Sequence, residues 1–144
     1  MKKIILIFLA AVAVIISLSR ISGDAYAEEA PSSKVIAYYF HGTFRCPTCH
    51  NLEQYSREAI EANFKDAIRS GGLEFKVVNI EDAGNEHYGS DYRLYTKSLI
   101  LSLVKDGKEI KWENLDKIWE HVGNKRKFID YVKTGVAGFL KEAQ

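Results

Sequence analysis

Residues 35–50 read VIAYYFHGTFRCPTCH, an apolar run that breaks at His41-Gly42 and leads into Cys46-Pro47-Thr48-Cys49-His50. The first six residues are β-branched, aromatic or small, the composition of a buried strand. Beyond the cysteines, Leu52, Tyr55, Ala59, Ile60, Phe64, Ala67 and Ile68 share one face of a helix predicted over residues 50–68. The two sulfurs therefore stand where a strand gives way to a helix. The first N–H groups of a helix have no partner within it, and the positive end of its dipole lies there. Both favour thiolate, the reactive form, over thiol. Cys46 and Cys49 are the only cysteines in the 144 residues, so sulfur chemistry is confined to this junction. The pattern predicts a redox dithiol that needs no cofactor besides its own Cys46–Cys49 disulfide.

Further along, Ser70-Gly71-Gly72 supplies turn chemistry that ends the helix, and residues 73–80 (LEFKVVNI) read as a second buried strand. Residues 81–89 are polar and turn-rich, after which Ser90 or Asp91 is placed to cap a short helix reaching Tyr95. Residues 99–104 form an apolar run suited to a central strand, and Asp106-Gly107 joins it as a hairpin to residues 109–113. The last third is helical: residues 116–122 turn Ile118 and Trp119 inward, and residues 125–141 carry the stripe Phe128, Ile129, Val132, Val136, Phe139 and Leu140. Gly135 and Gly138 cost about 1 kcal/mol each relative to alanine, so the far end of that helix is expected to fray or bend. The order strand, helix, strand, short helix, strand, strand, helix predicts an α/β, three-layer thioredoxin-like fold. Its central mixed sheet of roughly four strands is flanked by helices, with an extended C-terminal helical region.

At the N-terminus, Lys2 and Lys3 precede an apolar run over residues 4–18, and small residues end in Ala25-Tyr26-Ala27. This is the layout of a secretory signal over residues 1–27, with an A-x-A cleavage site. The competing reading is an uncleaved anchor, for which the run is short, since a span needs roughly 20 residues. No cysteine near the signal allows a lipoprotein. Residues 28–33 read as a flexible lead-in and 34–144 as one domain. The leader holds three of the 20 basic and one of the 19 acidic side chains, so the mature chain carries a net charge of −1. Such a balance gives no electrostatic case for nucleic acid or anionic lipid. An exported protein, in the periplasm or cell envelope, meets an oxidising compartment where a dithiol can rest as a disulfide.

The segment YYFHGTFRCPTCHNLE resembles the strand–loop–CxxC–helix of the thioredoxin superfamily, and VVNIEDAGNEHYGSDYRLYTKSLILSLVKDGKE resembles a thioredoxin's second half. In FHGTFRCPTC, YRLYTKS and WENLDKIWE the chain is similar to the exported bacterial thioredoxin-like proteins of the nitrophenyl compound nitroreductase subunit ArsF family, over nearly all of residues 34–141. Nothing in the chain resembles a flavin or nicotinamide site, so the resemblance implies dithiol exchange rather than nitroreduction. Two departures stand out. Thioredoxins carry a cis-proline facing the dithiol, but after the signal only Pro31 and Pro47 remain. Counting forward from Tyr92 puts Ser98 in that slot and counting back from Gly107 puts Leu99 there. Ser98 is the expected occupant, its hydroxyl facing the sulfurs, on a trans peptide because a cis bond before a non-proline costs roughly 2.5–4 kcal/mol. The buried acid of thioredoxin is also missing from Tyr39-Phe40, leaving Glu53, Glu81 or His41 as candidate bases.

Cys46, the first sulfur, is the expected nucleophile and Cys49 the resolving thiol. Pro47 pre-sets the first helical turn. Thr48 brings no charge between the cysteines, and His50, four residues after Cys46, shares its helical face and would favour the thiolate if protonated. The implied partners are a protein thiol or disulfide substrate and a membrane dithiol electron donor, with the chain itself a monomer. Two other chemistries fit the same residues. The cysteines with His50 or His41 suit a soft or borderline ion such as Cu(I) or zinc. Cys46-x-x-Cys49-His50 is also the attachment pattern of c-type haem, although the only methionine is Met1 and the second axial ligand would have to be another histidine. A purely structural disulfide is disfavoured because closing so small a ring stabilises by only roughly 2 kcal/mol. Tyr92 and Tyr95 are placed either in the core or along a partner groove.

Overall fold

Strand β1 (Ser33–His41) is the axis of the sheet. The computed structural model describes residues 31–144, so the expected signal, its cleavage site and residues 28–30 lie outside the described residues. β1 pairs in parallel with β2 (Leu73–Asn79), Val35 opposite Leu73 and His41 opposite Asn79. On its other side it runs antiparallel to β3 (Ser98–Lys105), Ser33 opposite Lys105 and Phe40 opposite Ser98. β4 (Lys108–Asn114) extends the edge antiparallel to β3, giving the order β2-β1-β3-β4. Asp106 and Gly107 both take left-handed φ angles, 49° and 75°, the twist that a two-residue hairpin of this kind requires.

Alternation along β1 assigns its side chains to two layers. Val35, Ala37 and Tyr39 join Leu99, Leu101 and Leu103 of β3 under two helices, α1 (Pro47–Asn63) and α5 (Lys125–Ala143). Leu52, Ala59 and Ile60 come from α1, and Phe128, Val132, Val136 and Phe139 from α5. At about 1.5–3 kcal/mol for each fully buried large apolar side chain, this layer dominates the stability of the domain. The opposite face is aromatic: Phe40, Ile100 and Tyr92 are buried, with Tyr38, Tyr88 and Trp112 packed around them. A short helix, α3 (His87–Asp91), lies on that side. The Glu109 carboxylate of β4 accepts hydrogen bonds from Tyr92 (2.6 Å) and Ser102, fastening the edge strand to it. Helix–sheet–helix layering and this strand order make an α/β thioredoxin-like fold.

Several elements differ from the sequence expectation. The helix predicted over 50–68 starts three residues earlier, at Pro47, and is interrupted at Phe64, whose φ of −128° leaves helical space; a separate turn, α2 (Lys65–Arg69), comes next. Ile68 is exposed as a result. The helix expected from Ser90 or Asp91 to Tyr95 instead ends there: Ser90 Oγ bonds back to His87 O, and Arg93 at φ 52° turns the chain. Trp119, in α4 (Ile118–His121), is not inward like its neighbour Ile118 but 37% exposed, its indole N–H donating to Lys97 O at 2.9 Å. The final helix runs unbroken to Ala143 past both glycines. Gly135 lies against the core, where a Cβ would come within 3.1 Å of Leu115 Cδ2, so its bare backbone permits a close approach there. Among the described residues no helix is long and apolar enough to cross a membrane.

Candidate functional site

The segment 42–45 leaves β1 and is held at the end of the sheet by Asn79, the last residue of β2, and by Ile80 and Glu81 beyond it. Thr43 N–H donates to Glu81 Oε2 at 3.0 Å, and Asn79 Nδ2 donates to Thr43 Oγ1 at 3.3 Å. Ile80 N–H donates to His41 O at 2.9 Å. The chain then enters α1 with Cys46 as its N-cap residue in extended conformation, φ −84° and ψ 166°, and Pro47 in the first turn. An N-cap side chain normally offers oxygen to an unpaired N–H. Here sulfur does so: Cys46 Sγ accepts from Cys49 N–H at 3.3 Å, and Cys46 O accepts the first helical bond, from His50 N–H at 3.1 Å.

The two cysteines have different surroundings. Cys46 is partly exposed and Cys49 only 2% exposed, and both are free thiols. The hydrogen bond from the Cys49 side chain, then that from its backbone N–H, holds the Cys46 thiol below its ordinary pKa, against a small opposing effect of burial. A reachable, thiolate-leaning first sulfur above a buried second one is the asymmetry that the sequence predicted from helix geometry. Pro47 and His50 are exposed and Thr48 half-buried around them.

A polar assembly that motif reading missed lies beneath the pair. Tyr39, fully buried, donates its hydroxyl to Cys49 O at 2.8 Å, and burial raises its pKa, keeping the phenol neutral. Arg45 lies over the same ring, its Cζ 5.9 Å from the centroid, and bridges to Glu53. Glu53 also accepts from Arg57 at 3.3 Å, and Arg57 reaches Glu61 at 3.0 Å. The i, i+4 ladder Cys49, Glu53, Arg57, Glu61 was readable on a helix; the Tyr39 hydroxyl, alternating into the helix-covered layer, needed the register.

This arrangement bears on the candidate bases. Burial alone would raise the Glu53 pKa, but hydrogen bonds from Arg45 and Arg57 and their charges outweigh it and hold the carboxyl below its usual range, which makes a weak proton acceptor. Glu81 is likewise held low by its hydrogen bonds from Thr43, the contact through which it clamps the loop. The His41 Nδ1–H donates to Gly42 O at 2.9 Å.

Ser98 requires a correction. It pairs with Phe40, so its side chain belongs to the aromatic layer, and its hydroxyl donates to Thr96 O at 3.0 Å. Leu99 pairs with Tyr39 and is fully buried in the layer that α1 covers, so the β3 side chain that turns toward α1 is an aliphatic one and not the expected hydroxyl. No cis peptide occurs among the described residues. Tyr92 is a core residue, 7% exposed, whereas Tyr95 is 95% exposed and Phe44, two residues before Cys46, is 79% exposed. The antiparallel β1–β3 pairing brings the segments bearing Phe44 and Tyr95 to one end of the sheet. Among the described residues no group of three or more His, Cys, Asp or Glu is placed to hold a metal ion.

No protein-family model and no curated protein matches the sequence. Solved structures with a similar course include Fasciola hepatica thioredoxin, at 18% identity and TM-score 0.43 over 77% of this chain and 82% of that one. A cysteine-to-serine variant of Entamoeba histolytica thioredoxin matches at 21% identity and TM-score 0.39, covering 73% and 85%. Chlamydomonas reinhardtii thioredoxin f2 matches at 13% identity and TM-score 0.36, covering 67% and 82%.

Proposed function

We propose that the protein is an exported thiol-disulfide oxidoreductase that exchanges electrons with cysteines of other proteins through Cys46 and Cys49. The observation that carries this reading is the unequal placement of the two sulfurs. Cys46 caps the helix, reachable and biased toward thiolate, while Cys49 waits buried one turn away. Attack by the Cys46 thiolate on a substrate disulfide gives a mixed disulfide and releases one substrate thiolate. Cys49 then attacks Cys46 Sγ, closes the internal disulfide and releases the other. Run backwards, the same steps oxidise a dithiol. Phe44 and Tyr95, both exposed at the end of the sheet where α1 begins, offer aromatic surface suited to an unfolded or extended polypeptide. Outside the cytosol, a reductase of this kind draws its electrons from a membrane dithiol carrier, which is the upstream partner we propose. The similarity to the ArsF-family proteins in sequence wording accords with export and with the dithiol.

Metal transfer through the same cysteines and His50 has less support, because His50 is exposed while Cys49 is enclosed. A c-type haem would need both sulfurs open to vinyl groups, and Cys49 is not. The decisive experiment is a Cys49→Ala variant expressed with its full leader. It should accumulate as a mixed disulfide through Cys46 with envelope proteins, released by reductant. Recovery of no such adduct, together with failure of the reduced wild type to reduce insulin and of the oxidised form to oxidise a dithiol peptide, would refute the proposal. Equilibration with glutathione sets the direction of transfer.

A further inference from the structure

Resting on that exchange reading, we propose that Arg45 is a positioning residue for its second half-reaction: the guanidinium, held against Tyr39 by Glu53, stabilises the thiolate that Cys49 must become. In that step Cys49 gives its proton to water, and its sulfur electron pair forms the bond to Cys46 Sγ. The bond between Cys46 and the substrate sulfur breaks, and its electron pair departs with the substrate as thiolate. No outside oxidant or reductant enters.

The difficulty is the anion itself. Cys49 is 2% exposed, so water touches it enough to take up a proton but cannot surround the charge left behind, and an anion in such a place needs a partner. Cys49 is bonded to Tyr39 of β1 and to Cys46 at the helix start, Tyr39 in turn carries Arg45 of the loop over its ring, and Arg45 bridges to Glu53; His41 and His50 are the other polar residues of the strand end and helix start. β3 contributes Leu99, which has no charge. Tyr39 already donates its proton to the Cys49 carbonyl. The proton on His41 Nδ1 is engaged by Gly42 O, and His50 is exposed to solvent. Glu53, one helical turn on, is negative.

Arg45 alone brings a permanent positive charge. It lies on the ring whose hydroxyl bonds the Cys49 carbonyl, and its side chain is only 20% exposed. Its Nε–H is buried and, among the described residues, has no hydrogen-bond partner. Buried donors are nearly always satisfied, so this one stands out as a donor awaiting an acceptor that appears during the reaction. The Glu53 bridge fixes the guanidinium in place and, by neutralising it, sets how strongly it acts.

The test uses the chromogenic disulfide dithionitrobenzoate on the reduced full-length protein. Cys46 attack releases the first nitrothiobenzoate and Cys49 resolution the second. Arg45→Gln should slow the second phase about tenfold near neutral pH and move its pH profile up by about one pH unit, leaving the first phase nearly unchanged. Arg45→Lys should recover part of the rate, and Glu53→Gln, which unmasks the cation, should move the profile downward and speed the second phase. A second phase at wild-type rate in Arg45→Gln would overturn the proposal, and so would equal slowing of both phases in Arg45→Gln and Glu53→Gln. If Arg45→Gln loses its native circular dichroism, the opposite-sign requirement on Arg45→Lys and Glu53→Gln decides. The reagent needs no physiological partner, so an empty trap with Cys49→Ala would count against the exchange reading while leaving this result standing.

Discussion

Gly135 and Gly138 lie one turn apart inside α5, and the same substitution at the two should have different outcomes. Alanine in place of glycine in a helix interior gains about 1 kcal/mol, because glycine loses more backbone freedom on folding. At Gly138, which is exposed, an added Cβ meets nothing within 4 Å, so the whole gain should be kept. At Gly135 the new methyl would lie 3.1 and 3.2 Å from the two Leu115 Cδ atoms and 3.4 Å from Leu101 Cδ1. Both leucines are fully buried, with little room to withdraw. Overpacking of this kind costs about 1–3 kcal/mol, which cancels or exceeds the helical gain. Gly138→Ala should therefore raise Tm by about 3–6 °C, and Gly135→Ala should leave it unchanged or lower it by up to about twice as much. Paired thermal melts and urea titrations of the two variants measure this directly. Equal stabilisation of both, or a fall in Tm for Gly138→Ala, would refute the argument that α5 seats its backbone on Leu115 through Gly135.

Other perturbations probe the site. Cys49→Ala removes the first cause of the depressed Cys46 pKa while keeping the backbone donor, so the pH midpoint of Cys46 alkylation by iodoacetamide should rise part of the way to the ordinary thiol value; an unchanged midpoint would contradict it. Tyr39→Phe deletes a buried hydrogen bond to Cys49 O and should cost about 0.5–1.5 kcal/mol in urea unfolding, with little change in the slope. Glu53 has a folded pKa below its unfolded value of about 4.3, so its contribution is present above that value and vanishes as pH falls through the depressed one. Acid unfolding of Glu53→Gln should accordingly be less steep in that range than the wild type, and parallel curves would argue against the ion pair.

The strand order, the hairpin and the standing of the two cysteines at a strand-to-helix junction were legible because they rest on local signals: a β-branched run, a proline in the first turn, and Asp-Gly at the hairpin. The illegible features depended on register. Whether Ser98 or Leu99 stands over the helix is a one-residue question, and in a strand one residue reverses the face. The Tyr39 hydroxyl was hidden for the same reason, since composition marked the ring only as core. Phe64 was misread because it satisfied the apolar stripe while its backbone broke the helix, and Trp119 because an indole half in solvent can be held by its N–H alone.

Because the sulfur of Cys46 also closes the open end of α1, chemistry and helix termination share one atom. Whenever that sulfur is bonded to another, it loses the negative charge that makes it a good acceptor, and the terminal turn surrenders part of what that hydrogen bond contributes. Amide exchange at the Cys49 nitrogen would then quicken in the oxidised protein, a record of electron occupancy kept in the backbone.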